Sequence, residues 1–165
     1  MKLRQLTLML ATSLLITACG SDDDNSPSIP SIAVDQVTSI DLKMTQFDKL
    51  TGELNFSLAD DKNMAISGAT AYHIFYIGKA DPEATPTYAR SWKRWHGTLQ
   101  YHCQIDDAKA CSGQLLETSP GQYSFTPENY DWAEQANSNR VAHYQVAVKI
   151  IGKQTHNEPV LHNPL

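Results

Sequence analysis

Residues 54–58 read Leu-Asn-Phe-Ser-Leu, apolar and polar in strict alternation. A period of two sends successive side chains to opposite faces of an extended strand, so one face can enter a core while the other meets water. The same pattern runs through residues 40–44 and, after the turn residues Ala59-Asp60-Asp61-Lys62-Asn63, through 64–68. Residues 71–77 are almost continuously β-branched or aromatic, which predicts a central strand covered on both faces, with His73 hydrogen-bonded in the core. Residues 88–103, carrying Trp92, Trp95, Leu99 and Tyr101, form a further strand region, and residues 121–125 a short strand. In residues 140–151, Ala142, Tyr144, Val146, Val148 and Ile150 are expected to face inward, and His143, Gln145 and Lys149 outward. The one helix start is Thr126-Pro127, an N-cap followed by proline at the first helical position, with one or two turns running to Ala136. Many short strands with little helix predict an all-β fold, an immunoglobulin-like β-sandwich or a barrel with Greek-key connections and at most one short helix.

The N-terminus carries an address rather than a fold. Met1-Lys2-Leu3-Arg4 is basic, residues 6–16 are largely apolar, and small residues follow, the layout of a secretory signal. The run is shorter than the ~20 residues a membrane span needs. Ile16-Thr17-Ala18-Cys19 resembles a bacterial lipobox, in which the cysteine is acylated and becomes the first mature residue. Several acyl chains on Cys19 give stable anchoring, since each buried CH₂ contributes about 0.8 kcal/mol. Gly20 follows, without an aspartate that would signal retention in the inner membrane. The expected location is therefore the outer membrane, with a lipid anchor; the motif leaves open which face of that membrane the protein occupies. Residues 21–31, rich in Asp, Ser and Pro, bury too little apolar surface to fold and read as a tether. The expected layout is a lipoprotein signal peptide at 1–18, a tether at 19–36, a β domain at 37–152 and a linker-like tail at 153–165.

Export decides what the cysteines do. With Cys19 on lipid, Cys103 and Cys111 are the remaining pair in an oxidising compartment, and a disulfide is expected. No Cys-x-x-Cys-His run offers a covalent haem site, and His102 with the two cysteines makes three zinc ligands at awkward spacing rather than four. No cofactor and no metal site are expected in this chain. Loss of Lys2 and Arg4 with the signal leaves 11 basic residues against 18 acidic ones, a net charge of −7, which argues against a nucleic-acid partner.

No phosphate loop, nucleophile elbow or His-Glu-x-x-His is present, and no nucleophile, base or metal set can be named, so the chain reads as a non-enzyme. Six histidines are scattered in sequence; His156 and His162, in the tail, read as incidental. The local cluster Trp92-Lys93-Arg94-Trp95 interleaves two aromatic rings with two cations and is the candidate binding surface, able to stack a sugar ring, a flavin or a haem edge. A surface lipoprotein binding carbohydrate through Trp92 and Trp95 is one functional reading.

The other comes from a resemblance. Its marks are the lipobox and its Ser/Asp/Pro tether, Gly52-Glu53-Leu54-Asn55-Phe56, Ile66-Ser67-Gly68-Ala69-Thr70, the Trp-bearing strand and the close cysteine pair. Gly121-Gln122-Tyr123-Ser124-Phe125 and Val146-Ala147-Val148-Lys149-Ile150-Ile151-Gly152 complete them. The pattern is similar to the N-terminal domain of the outer-membrane decahaem c-type cytochromes, the OmcA/MtrC family. The resemblance implies a haem-free Greek-key split barrel that serves as a structural and docking domain in extracellular electron transfer. Its partners would be an outer-membrane porin–cytochrome complex or other cytochromes. Haem c is implied only in the family's downstream domains, which this chain, ending at Leu165, is expected to lack.

Overall fold

The computed structural model describes residues 29–80, 96–104, 111–132 and 141–164. Ten strands are present among them: β1 (Ser31–Ala33), β2 (Asp41–Phe47), β3 (Leu54–Ala59), β4 (Ala65–Ser67), β5 (Ala71–Ala80), β6 (His96–Cys103), β7 (Gln114–Ser119), β8 (Gln122–Thr126), β9 (Val141–Ile151) and β10 (Leu161–His162). The fold is all-β, as expected, and the described helical content is a single 3₁₀ turn at Val34–Gln36.

Two sheets form. In the six-stranded one the order is β1-β4-β3-β8-β7, with β2 also pairing with β3; the four-stranded one runs β10-β9-β5-β6. The chain changes sheet between β4 and β5, β6 and β7, and β8 and β9. The alternating residues of each sheet meet in one core: Phe47, Phe56, Leu58 and Phe125 from one side, Ile74, Tyr76, Val146 and Ile150 from the other. Rings pack across the gap, Phe47 on Tyr76 at 5.8 Å and Tyr72 on Phe125 at 5.4 Å between centroids. Each fully buried side chain of this kind contributes roughly 1.5–3 kcal/mol relative to exposure.

Turn chemistry fixes the registers. The β2–β3 turn closes with Gly52 N–H donating to the Asp48 carbonyl at 2.8 Å and Leu50 N–H to the Asp48 carboxylate at 2.7 Å. Gly52 takes φ +76°, and a Cβ there would lie 2.5 Å from the Tyr130 ring. Ser119-Pro120-Gly121 turns β7 into β8, with Gly121 at φ +74°.

Several expectations are corrected. Residues 127–132 are not helical, and Asn129 has φ 51°; the rest of the expected helix, residues 133–136, lies outside the described residues. The physical reason is packing: Tyr130 is needed against Tyr76 at 5.2 Å between centroids, and Trp132 lies over Gly78, where a Cβ would meet the indole at 2.7 Å. A helix would carry one of these rings away from the mouth of the core. Residues 31–36, expected in the tether, belong to the domain: β1 pairs in parallel with β4, and Val34 is buried. Residues 153–164, expected as a linker-like tail, lie along β9. Asn157 is 4% exposed, accepts from Ile150 N–H at 2.6 Å and donates to the Val148 carbonyl at 2.8 Å, and β10 pairs with β9. Ala142 is exposed, not inward; Tyr144 is half-buried, and Val146, Val148 and Ile150 are buried as expected.

Candidate functional site

β5 is interior to its sheet, but it is covered on one face. Tyr72, Ile74 and Tyr76 are buried, whereas His73 and Lys79 are exposed. His73 is therefore not a core residue. It faces outward beside its cross-strand partner His102, with ring centroids 6.2 Å apart.

Cys103 and Cys111 are joined in a disulfide. The bond closes the short crossing from β6 in one sheet to β7 in the other, and backbone contacts reinforce it. Ser112 N–H donates to the His102 carbonyl at 2.9 Å, His102 N–H to Ser112 Oγ at 3.0 Å, and the Tyr72 hydroxyl donates to the Ser112 carbonyl at 2.8 Å. β6 and β7 do not pair, so the cysteines staple a crossover instead of capping a hairpin.

Beside this joint an open cleft of about 450 Å³ runs along β6, lined by Thr98, Leu99, Gln100, Tyr101, Glu128 and Asn129. β6 ends the four-stranded sheet among the described residues, so the cleft lies along a strand edge. Burial, and then the negative charge of Glu128, push the Tyr101 and Tyr72 phenols above their ordinary value. Neither is an acid or base near neutral pH.

A second polar cluster joins the buried Tyr123 of the six-stranded sheet to the half-buried Glu117 on its edge strand. The Tyr123 hydroxyl donates to the Ile66 carbonyl at 2.9 Å and accepts from Ala69 N–H at 3.2 Å; burial pushes its phenol up to about 12. Glu117 accepts from Gly68 N–H at 2.8 Å and Gly121 N–H at 3.2 Å. Burial raises its carboxyl, but these bonds and those of Ser67 and Tyr123 outweigh it and hold the group below the usual range. The cluster pins the β4–β5 connection to the β7–β8 turn. Its role is structural.

Cys19, Trp92, Lys93, Arg94 and Trp95 lie outside the described residues. Among the described residues no group of three or more His, Cys, Asp and Glu side chains is placed to hold a metal ion. What sequence spacing missed is the distribution of histidine. Strand parity brings His73 of β5, His96 and His102 of β6 and His143 of β9 to the outer face of one sheet. The signal was present in outward positions of the alternation, but it becomes readable only when the strand partners are known.

No family model and no curated protein matches the sequence. Two solved structures are similar to it. MtrC from Shewanella baltica OS185 superposes with a TM-score of 0.52 over 75% of this chain and 21% of that chain, at 12% identity. The outer-membrane decahaem cytochrome OmcA gives 0.46 over 79% of this chain and 23% of that one, at 14% identity. The chain thus spans about a fifth of the length of the first of these, and the likeness to MtrC is one of fold.

Proposed function

We propose that this chain is a haem-free, non-catalytic β domain of an outer-membrane lipoprotein, held at the cell surface through Cys19, that docks with extracellular electron-transfer cytochromes. The observation that carries the reading is the two-sheet fold shared with MtrC over three-quarters of the chain. Two features support it independently. The lipobox at residues 16–19 supplies export and anchoring, and the Cys103–Cys111 bond suits an oxidising milieu. The role assigned to the domain is mechanical. β6 is the end strand of its sheet among the described residues and lines the cleft, the kind of position at which a partner strand can add.

The test is binding of the purified chain to a purified outer-membrane decahaem cytochrome by biolayer interferometry, alongside fractionation of wild type and Cys19→Ala in cells. The reading expects saturable binding, wild type in the outer membrane and the variant released from it. Absence of binding together with a soluble wild-type protein would overturn it.

A further inference from the structure

The four strands of the β10-β9-β5-β6 sheet contain no Asp or Glu, in a chain with 18 of them. Their outward positions are basic at both ends. At one end His102, His73 and Lys149 stand in a row across β6, β5 and β9; at the other, His96, Lys79 and His143 do the same. Lys79 donates to Gln145 at 2.7 Å, and no described carboxylate forms an ion pair with either lysine.

Between the basic rows the chemistry changes. Gln100 and Phe75 are cross-strand partners, as are Thr98 and Ile77, and Gln145 bonds Asn163 at 3.2 Å. Phe75 and Ile77 are half-buried; Ile77 lies between Thr98 and Gln145, and Phe75 between Gln100 and Ala147, beyond which Leu161 of β10 is exposed. From His96 to His102 this face is about 20 Å long, and four strands make it about 15 Å wide. That is roughly 300 Å², well below the ~800 Å² per partner of a stable protein interface. A nucleic acid or polyphosphate would call for unbroken positive charge along the face. Separated cations, hydrogen-bonding amides and one aromatic ring fit a linear sugar chain carrying carboxylates at intervals.

From this we infer that the outer face of the four-stranded sheet binds an acidic polysaccharide, a polyuronate-type chain laid from the His102–His73–Lys149 row to the His96–Lys79–His143 row. The inference does not rest on cytochrome docking, and it uses residues other than Trp92 and Trp95. The test is isothermal titration of the full chain with alginate oligosaccharide, neutral cello-oligosaccharide and poly-L-glutamate, at low and high salt. Alginate is expected to bind saturably and more weakly in high salt, with no binding of the neutral chain. The double variant Lys79→Glu/Lys149→Glu is expected to lose about tenfold in affinity with an unchanged melting temperature. Should charge reversal unfold the chain, Lys79→Gln/Lys149→Gln reads the same contrast with a smaller loss. The inference is overturned by absent alginate binding, by equal binding of the lysine variants, or by poly-L-glutamate binding more tightly than alginate, which would mark an acidic protein as the occupant.

Discussion

Asn157→Ala tests whether residues 153–164 are part of the folded body. The Asn157 side chain makes three hydrogen bonds: from Ile150 N–H at 2.6 Å, and to the carbonyls of Val148 at 2.8 Å and Glu158 at 3.2 Å. Truncation leaves the Ile150 donor and the Val148 acceptor without that partner at a position 4% exposed. Each buried unsatisfied group costs about 1–3 kcal/mol, so the expected loss is about 3 kcal/mol after partial hydration of the freed groups. In a domain of this size 1 kcal/mol moves Tm by about 3–4 °C, giving a fall of about 10 °C. Calorimetry and urea unfolding should agree, with an unchanged m-value, because the surface exposed on unfolding is the same. Gln154→Ala, which loses one exposed bond to the Asp35 carbonyl, should stay within about 0.5 kcal/mol. If Asn157→Ala costs no more than that control, the tail is a dispensable appendage and no part of the folded body.

Other outcomes follow from the same geometry. Gly78→Val directs side-chain atoms into the Trp132 ring, which lies only 2.7 Å from where the new Cβ would stand, and should destabilise by about 2–3 kcal/mol in chemical denaturation. Glu117→Gln removes a charged acceptor from two backbone N–H groups and, because water screens this half-buried carboxylate, should cost about 0.5–1 kcal/mol at neutral pH. Since the folded carboxyl is held below its ordinary value of 4.5, that stabilisation is complete above about this pH and is lost as the pH falls through the folded value. The wild-type and variant curves should therefore converge in acid, and parallel curves would refute the assignment. Cys103→Ser/Cys111→Ser opens a loop with a sequence separation of 8 and should cost about 2.5 kcal/mol, measured without reductant.

The fold is legible in the sequence where one face of a strand is buried and the other wet. β2, β3, β8 and the C-terminal half of β9 follow their alternation almost residue for residue. Legibility ends where that pattern is absent or too short. β7, Gln-Leu-Leu-Glu-Thr-Ser, is an edge strand without clear alternation, and β1 and β10 have three and two residues. The apolar run of β5 hides which face is covered, so sequence places His73 in the core when Phe75 and Ile77 are only half-buried around it. At Thr126-Pro127 the local helix signal is sound, but two aromatic rings closing the core outweigh it. The disulfide is legible because cysteine count and compartment suffice for it. The basic sheet face is not, since register is a property of pairs of strands and not of any one segment.

The proposed docking role is tested most directly by sedimentation velocity of a purified outer-membrane decahaem cytochrome, followed at its Soret band while this chain is titrated in. Because the chain is expected to bring no haem of its own, the absorbing boundary reports only the cytochrome. Docking predicts that this boundary moves to a higher sedimentation coefficient and saturates as the chain is added. A boundary that stays in place at every concentration, or a Soret band intrinsic to the purified chain, would contradict it.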